Sequence, residues 1–259
     1  MNSKTPRRPR RSSVSARERA YRHIQEQISK GVLVAGQPVS ELLLAKELGS
    51  SRTPIREAIG QLATEGLLEQ THNRGAVVRQ LTRSDITDLY EVREALEVYA
   101  GAKVAGRGLQ PRELQRLHEF NDGIQQLRDE LKRTGAEALD EKQMVHFAQL
   151  DLSLHAQIVL LTLNSRIQKI INETRVLIQI FAIRRSGHDA AALGQIWQQH
   201  HNIIEALAAR NTEVARKLLS EHILHSLKER LDEFEAWERT NAMGRALPEL
   251  VGGTLLLGR

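Results

Sequence analysis

The sequence of 259 residues predicts a mainly α-helical protein with a small N-terminal unit and a larger all-helical bundle. Apolar residues recur at three- and four-residue spacing along most of the chain, a hairpin pattern occupies residues 67–78, and Pro111 is the only proline between residues 83 and 240. We therefore divide the chain into a disordered basic arm, the small unit, the bundle and a tail. Their ranges are 1–14, 15–80, 81–240 and 241–259.

The composition excludes several classes of protein. The chain contains no cysteine, so disulfides, thiolate nucleophiles and thiolate metal sites are absent. No apolar run approaches the length of about 18 residues that a membrane helix needs, and the basic N-terminus lacks the apolar segment of a secretory signal. Only nine residues are aromatic, which disfavours a protein that stacks single-stranded nucleic acid. We expect a cytoplasmic protein with no membrane partner.

Positive charge is concentrated at the N-terminus. Residues 1–80 hold 14 Lys and Arg against 7 Asp and Glu, whereas the remaining 179 residues hold 23 against 25. This distribution is typical of a phosphate-binding module attached to a neutral body. The alternative, a solvated charged surface, would not concentrate the excess in this way. The arm over residues 1–14 is either an inert tail or a basic segment that lies along DNA phosphates.

The small unit has the pattern of a winged helix-turn-helix. A first helix runs from Ser15 to Gly31, and Gly36-Gln37-Pro38 marks a turn. A second helix follows over residues 41–48, a third begins at Arg52 or Thr53 and closes at Glu65-Gly66, and a hairpin completes the unit. In such a unit the later helix enters the major groove of DNA, and the hairpin forms a wing that touches the backbone or minor groove.

The recognition helix presents three candidate DNA-binding side chains, Arg52, Thr53 and Arg56. Arginine reads guanine through two hydrogen bonds, and threonine is suited to phosphate. These residues could instead only decorate a solvent face, but the excess of positive charge favours double-stranded DNA.

From residue 83 to about 240 one helical pattern follows another. The breaks predict six helices of about 20 residues each, enough for an all-α bundle. They lie at residues 106–111, 134–140, 164, 187–190 and 210–212.

Four polar residues point inward from three of these helices. Asp151 and His155 project together from an apolar stripe, at the i, i+4 spacing that lets two side chains share a metal, and His200 and His222 lie on inner faces. The set suits zinc, nickel, manganese or iron, whereas each histidine alone is more often a satisfied core residue. His201 is rotated off the inner face, and we expect it to be solvated.

Arg93 is another charged residue on an inward-facing side of a helix, because its neighbours on that face are apolar. A buried cation needs an anion. Glu97, one turn further along, could supply it. The alternative is a bound carboxylate ligand held by Arg93 and an open metal position.

Two alternative functions agree with a metal site at these residues. A metalloenzyme would need a general base near the metal, but the chain contains no HExxH-like glutamate, no nucleophile motif and no glycine-rich phosphate loop. A purely structural metal in a constitutive DNA-binding protein agrees better with the sequence. Turnover of a substrate would support the first, and ligand-independent DNA binding the second.

Two stretches of the chain resemble known signatures. The segment SSRTPIREAIGQLATEGLLEQTHNRGAVV is similar to the winged helix of GntR-type bacterial transcription regulators. The segments LYEVREALEVYA, DLSLHAQIVLLTLNSRI and HHNIIEALAARNTEVARKLLSEHI resemble the FCD effector domain of the FadR-like subfamily. The two signatures occur in the family's order and cover about residues 15–235.

The resemblance implies a homodimer that binds a palindromic operator. Most members of such families are repressors that are released by their effector, which is commonly a small carboxylate. It implies that the metal ligands are Asp151, His155, His200 and His222, and that Arg93 contacts the effector. Arg52, Thr53 and Arg56 match DNA-contacting positions. The wing corresponds to His72, Asn73, Arg74 and Gly75.

This chain departs from the family pattern at two places in the helix-turn-helix. Leu42 stands where some members have a DNA-contacting arginine, so that contact is missing here. The turn Gly49-Ser50-Ser51-Arg52 replaces the usual Gly-Val-Ser-Arg.

Overall fold

The computed structural model describes residues 14–30, 32–71, 75–181 and 187–252. The chain divides into two compact units, Met1–Gln80 and Leu81–Arg259. Within the described ranges, no helix combines the length and apolar character needed to span a bilayer.

In its described residues, the first unit contains three helices and a small sheet, as the winged helix-turn-helix prediction requires. Ser15 begins the first helix with its hydroxyl, which accepts a hydrogen bond from the Glu18 amide, and Ser40 caps the second through the Leu43 amide. The elements, in chain order, are α1 Ala16–Ser29, β1 Pro38–Val39, α2 Glu41–Glu47, α3 Arg52–Thr64, β2 Leu68–Thr71 and β3 Gly75–Val78.

The sheet has one strand more than the sequence predicts. The order is β1-β3-β2 with both pairs antiparallel, and Pro38 pairs with Val77. The prediction of a turn over residues 36–38 was therefore wrong at Pro38. A two-residue strand has no alternation to detect, and its pairing depends on β3, almost 40 residues away. Pro38 is tolerated because it lies on an edge strand, where a ladder donor is dispensable.

The second unit contains six helices, among the described residues, and these follow the predicted breaks. Thr82 starts the first of them with a capping box that it forms with Asp85, and Gly135 ends the second at a φ of 70°. The helices are α4 Arg83–Arg107, α5 Pro111–Thr134, α6 Glu141–Leu160, α7 Ser165–Phe181, α8 Ala190–Ala208 and α9 Thr212–Gly252.

The last helix is longer than the sequence predicts. α9 has 41 residues and continues to Gly252, whereas the bundle was expected to end near residue 240 and a tail to follow. The apolar pattern weakens beyond residue 240, so periodicity did not indicate this extension.

The bundle core lies between α4, α6, α8 and α9. Its centre consists of fully buried aliphatic side chains such as Val104, Leu154, Ile204 and Leu219. Gly101 of α4 is packed against Leu219 of α9, so that any β-carbon at this position would overlap the leucine side chain. Glycine therefore allows α4 and α9 to approach closely, which brings the inner faces of both helices to one centre.

Candidate functional site

The three candidate DNA-binding residues lie on the exposed face at the start of α3. Arg52, Thr53 and Arg56 are all exposed, while the opposite face of the helix is buried. That buried face consists of Ile55, Ala58, Ile59 and Leu62. The apolar face thus orients α3 so that both guanidinium groups point to solvent, as a helix that reads DNA requires.

One carboxylate holds both arginines. Arg56 donates through Nε and Nη2 to the two oxygens of Glu41 at 3.0 and 2.9 Å, and Nη2 of Arg52 donates to Oε2 of Glu41 at 3.2 Å. The hydrogen bond from Arg56 is the main reason that the pKa of Glu41 is lowered. Sequence reasoning missed Glu41, because it belongs to α2 and lies 15 residues before Arg56.

The structure describes only part of the predicted wing, and it describes Leu42 of α2. His72, Asn73 and Arg74 of the wing lie outside the described residues. Gly75 begins β3 with a φ of 78°, a left-handed conformation that favours glycine. Leu42 of α2 is 66% exposed, so an apolar side chain occupies the surface at this position.

In the second unit, the four predicted metal ligands converge at one point. Nε2 of His222 lies 3.1 Å from Nε2 of His155 and 3.3 Å from Nε2 of His200. Oδ1 of Asp151 lies 3.5 Å from Nε2 of His200 and 4.0 Å from Nε2 of His155. All four donor atoms lie within 4.8 Å of one another, and the three imidazoles are buried. Helices α6, α8 and α9 contribute these ligands.

The outer nitrogens of two rings face oxygen acceptors. Oε2 of Glu97 lies 2.7 Å from Nδ1 of His155, and Oε1 of Gln199 lies 2.8 Å from Nδ1 of His222. An amide oxygen only accepts hydrogen bonds, so Nδ1 of His222 carries the proton and Nε2 of this ring presents a lone pair to the cluster. Nε2 of His155, Nε2 of His200 and an oxygen of Asp151 converge on the same point as this lone pair. The residues therefore fit a metal ion.

Burial and charge favour the protonation state that a metal needs. Burial lowers the pKa of His200 to about 3, so this ring is neutral at physiological pH. Burial also lowers the pKa of His222 well below its usual value. Burial opposes ionisation of Asp151, but the neighbouring His155, His200, His222 and Arg93 outweigh it and hold the pKa of this carboxyl well below its usual range.

Beside this cluster, a buried glutamate joins two arginines. Oε1 of Glu97 accepts from Nε of Arg93 at 3.1 Å and from Nη2 of Arg175 at 3.2 Å. Glu97 is thus the anion for Arg93, as the first of the two sequence alternatives proposed. The sequence did not indicate Arg175, because α7 brings it to Glu97 from 78 residues away.

A small cavity opens beside the cluster. Its volume is about 70 Å³, room for a few water molecules or a small organic ligand. Asp151, His155 and His222 line it on the side of the cluster, together with the arginines Arg93, Arg175 and Arg230. The cavity is thus lined both by candidate metal ligands and by cationic side chains.

His201 differs from the sequence expectation of a solvated side chain. It is half-buried, and its imidazole stacks on the ring of Trp197 with 5.3 Å between centroids and 8° between planes. The contact partner lies one turn earlier on α8, so helical spacing could have indicated it.

Both units of this chain are similar to known protein families. Residues 16–78 match the profile described as bacterial regulatory proteins, gntR family, and residues 88–225 match the FCD domain. A probable D-xylose utilization operon transcriptional repressor from Paenarthrobacter nicotinovorans is 29% identical over 219 residues, which are 85% of this chain and 89% of the relative. The gluconate operon transcriptional repressor of Bacillus subtilis is 26% identical over 172 residues, 66% of this chain and 65% of the relative.

Solved structures share this fold. Escherichia coli McbR/YncC has a similar fold, with a TM-score of 0.68 at 21% identity over 86% of this chain and 100% of that one. A putative GntR transcriptional regulator from Rhodococcus sp. RHA1 gives a TM-score of 0.65 at 25% identity, covering 83% and 97% of the two chains.

The winged helix-turn-helix followed by the FCD domain defines a DNA-binding transcriptional regulator rather than an enzyme. The chain belongs to the GntR family and carries a C-terminal FCD domain.

Proposed function

We propose that this regulator binds its operator as a homodimer and that a small carboxylate, bound between a metal ion and Arg93, controls its affinity for DNA. The convergence of four donor atoms within 4.8 Å of one another, three of them on buried imidazoles, carries the proposal of a metal. Zinc is our first choice, with nickel, manganese and iron as alternatives, because the ligands are nitrogen and oxygen without sulfur.

The ligands of the proposed metal are Asp151, His155, His200 and His222. A divalent ion bound by these residues supplies an electrophilic position that can accept an oxygen of the effector. Gln199 accepts a hydrogen bond from Nδ1 of His222 and so orients this imidazole, and Oε2 of Glu97 lies 2.7 Å from Nδ1 of His155.

The charges around the cavity support an anionic effector. Arg93 and Arg175 are balanced by Glu97 and Asp151, so a divalent metal would leave the site with two excess positive charges. Nε of Arg175 is buried and has no hydrogen-bond partner among the described residues. A carboxylate can reduce the excess charge and accept hydrogen bonds, and the cavity volume restricts it to a small molecule.

The exposed side chains Arg52, Thr53 and Arg56 support an interaction of α3 with the major groove, and Gly75 belongs to the wing. The wing residues His72, Asn73 and Arg74 remain part of the proposal through the family resemblance. Each protomer would read one half of a palindromic operator. An exposed apolar pair on one face of α4, Val92 and Tyr99, supports self-association of the helical domain.

Coupling between effector and operator is reciprocal by thermodynamic necessity. An effector that weakens DNA binding is itself bound more weakly in the presence of operator, typically by about 1–3 kcal/mol. Relatives that repress xylose and gluconate operons support a role in sugar or sugar-acid metabolism, so the effector screen should include gluconate.

A thermal-shift screen tests the effector and the metal together. Mono-, di- and hydroxycarboxylates are added to zinc-loaded and to chelator-stripped full-length protein, because a ligand of the native state raises Tm by mass action. We expect a carboxylate that raises Tm of the loaded protein, loses its effect after chelation, and changes operator affinity in a gel-shift assay.

The Arg93→Gln variant tests which residue contacts the effector. It should still bind zinc, but the shift by the carboxylate should disappear. If no carboxylate shifts the loaded protein while chelation alone unfolds it, the effector proposal is wrong and the metal is structural in a constitutive DNA-binding protein. If the protein binds no zinc, the metal proposal is wrong.

A further inference from the structure

A second group of potential metal ligands lies between α5 and α8, separate from the cluster described above. It consists of His118 on α5 and of His201 and Glu205, one turn apart on α8. Nε2 of His118 lies 3.8 Å from Oε1 of Glu205, and one ligand atom from each of the three side chains lies within 4.8 Å of the others. Ligands of a tetrahedral metal with bonds of about 2 Å are roughly 3.3 Å apart, so small side-chain rotations would close this set.

The surrounding packing fixes the ring of His201 and the spacing of the two helices. The ring of His201 stacks parallel to Trp197, which restricts its rotation. Asn121, one turn after His118 on α5, donates from Nδ2 to the carbonyl oxygen of Trp197 at 3.2 Å. This part-buried hydrogen bond joins the two helices beside the candidate ligands, so the backbones that carry His118 and His201 are held at a defined spacing.

We propose that His118, His201 and Glu205 form a second, solvent-facing site for a divalent transition metal such as nickel or zinc. Two imidazoles and one carboxylate match the preferences of these ions, and the carboxylate supplies the negative charge that attracts a cation. The side chain of Glu205 is 57% exposed and that of His118 34% exposed, so the remaining coordination positions face water. A bound ion would exchange readily with the solution.

The two sites share no ligand, so the second does not rest on the function proposed above. They are nevertheless adjacent along α8, because His200 points into the buried cluster and His201, the next residue, points toward α5. A metal at the second site joins α5 to α8 and thereby stabilises the helix that carries a ligand of the first. The site would give the helical domain a direct response to the free concentration of transition metal.

Titration with Ni²⁺ tests the proposal on the full-length chain without a histidine tag. We expect an equivalent of Ni²⁺ that is lost in His118→Asn and is bound about tenfold or more weakly in Glu205→Gln. Glu205→Gln changes an exposed side chain and should leave folding intact. Asp151→Asn, which alters only the buried cluster, and His146→Asn, which removes an exposed histidine of α6, should both keep this equivalent.

Tryptophan fluorescence locates the ion. The chain has two tryptophans, and a Trp237→Phe background leaves only Trp197, which contacts His201. After the buried cluster has been saturated with zinc, Ni²⁺ should quench the emission of Trp197, and the His118→Asn substitution should abolish this quenching. The proposal is wrong if His118→Asn binds as many equivalents as the unaltered protein with the same affinities, or if the quenching survives this substitution.

Discussion

The two units each contain a glutamate that holds two arginines, but the two glutamates lie in opposite environments. Glu41 binds Arg52 and Arg56, whose side chains are 60% and 66% exposed. Glu97 binds Arg93 and Arg175, and every side chain in this group is at most 8% exposed. The same chemistry therefore occurs once at the surface and once in the core.

The environment decides what each group can do. At the surface, water and salt screen the attraction, so the arginines of Glu41 can exchange their partner for a DNA phosphate or base at little cost. In the core, a charge that loses its partner cannot be hydrated, so Glu97 must remain ionised and in place. Consistent with this, burial raises the pKa of Glu97, but the charges of Arg93, Arg175 and His155 outweigh burial and hold it well below its usual range.

The largest expected effect is that of Glu97→Gln. This change leaves two buried arginines without a carboxylate, and we expect the free energy of unfolding to fall by about 3–5 kcal/mol. Urea denaturation of the metal-free protein measures it. Glu91→Gln, an exposed change on the same helix, is the control and should have little effect. Equal losses for the two variants would contradict the contrast between core and surface.

Acid should destabilise the helical unit through its buried imidazoles. Because burial lowers the pKa of His200 to about 3, the unfolded chain holds a proton that the folded chain lacks between about pH 6.5 and pH 3. The free energy of unfolding of chelator-stripped protein should therefore decrease as the pH is lowered through this interval, by up to about 1.4 kcal/mol per pH unit for this residue. His200→Gln should have a shallower slope, and an unchanged slope would show that His200 is not the titrating group.

At the surface, Arg56→Ala should affect DNA binding and leave stability nearly unchanged. A base-reading arginine contributes about 10- to 100-fold to specific affinity. Fluorescence anisotropy with operator and with random DNA, at several salt concentrations, separates this contribution from phosphate attraction. An equal loss on both DNAs would indicate a phosphate contact.

The smallest effect is expected for Glu41→Gln. The loss of one negative charge should strengthen binding to random DNA, while Arg56 loses the carboxylate that orients it. We therefore expect the ratio of specific to non-specific affinity to fall only a few-fold, with Tm unchanged. A marked loss of stability would place Glu41 in a structural role and remove the contrast with Glu97.

Much of the secondary structure was predictable because its causes are local. Hydrophobic periodicity and its breaks located most helices of both units to within a few residues, and Ser40 was recognisable as the N-cap of α2. Periodicity also placed Asp151 and His155 on one face of α6. The strand at Pro38 and the end of α9 were missed, because the first depends on a distant partner and the second lacks an apolar pattern.

The sequence by itself determined which residues face inward, and hence that three histidines and an aspartate are available to a metal. Only the tertiary structure decided that Glu97 joins Arg93 to Arg175, that Glu41 holds both arginines of α3, and that His118 meets His201 across two helices. Each of these contacts joins residues from different elements. Helical spacing specifies the face on which a side chain lies, whereas its partner is decided by how the faces pack together.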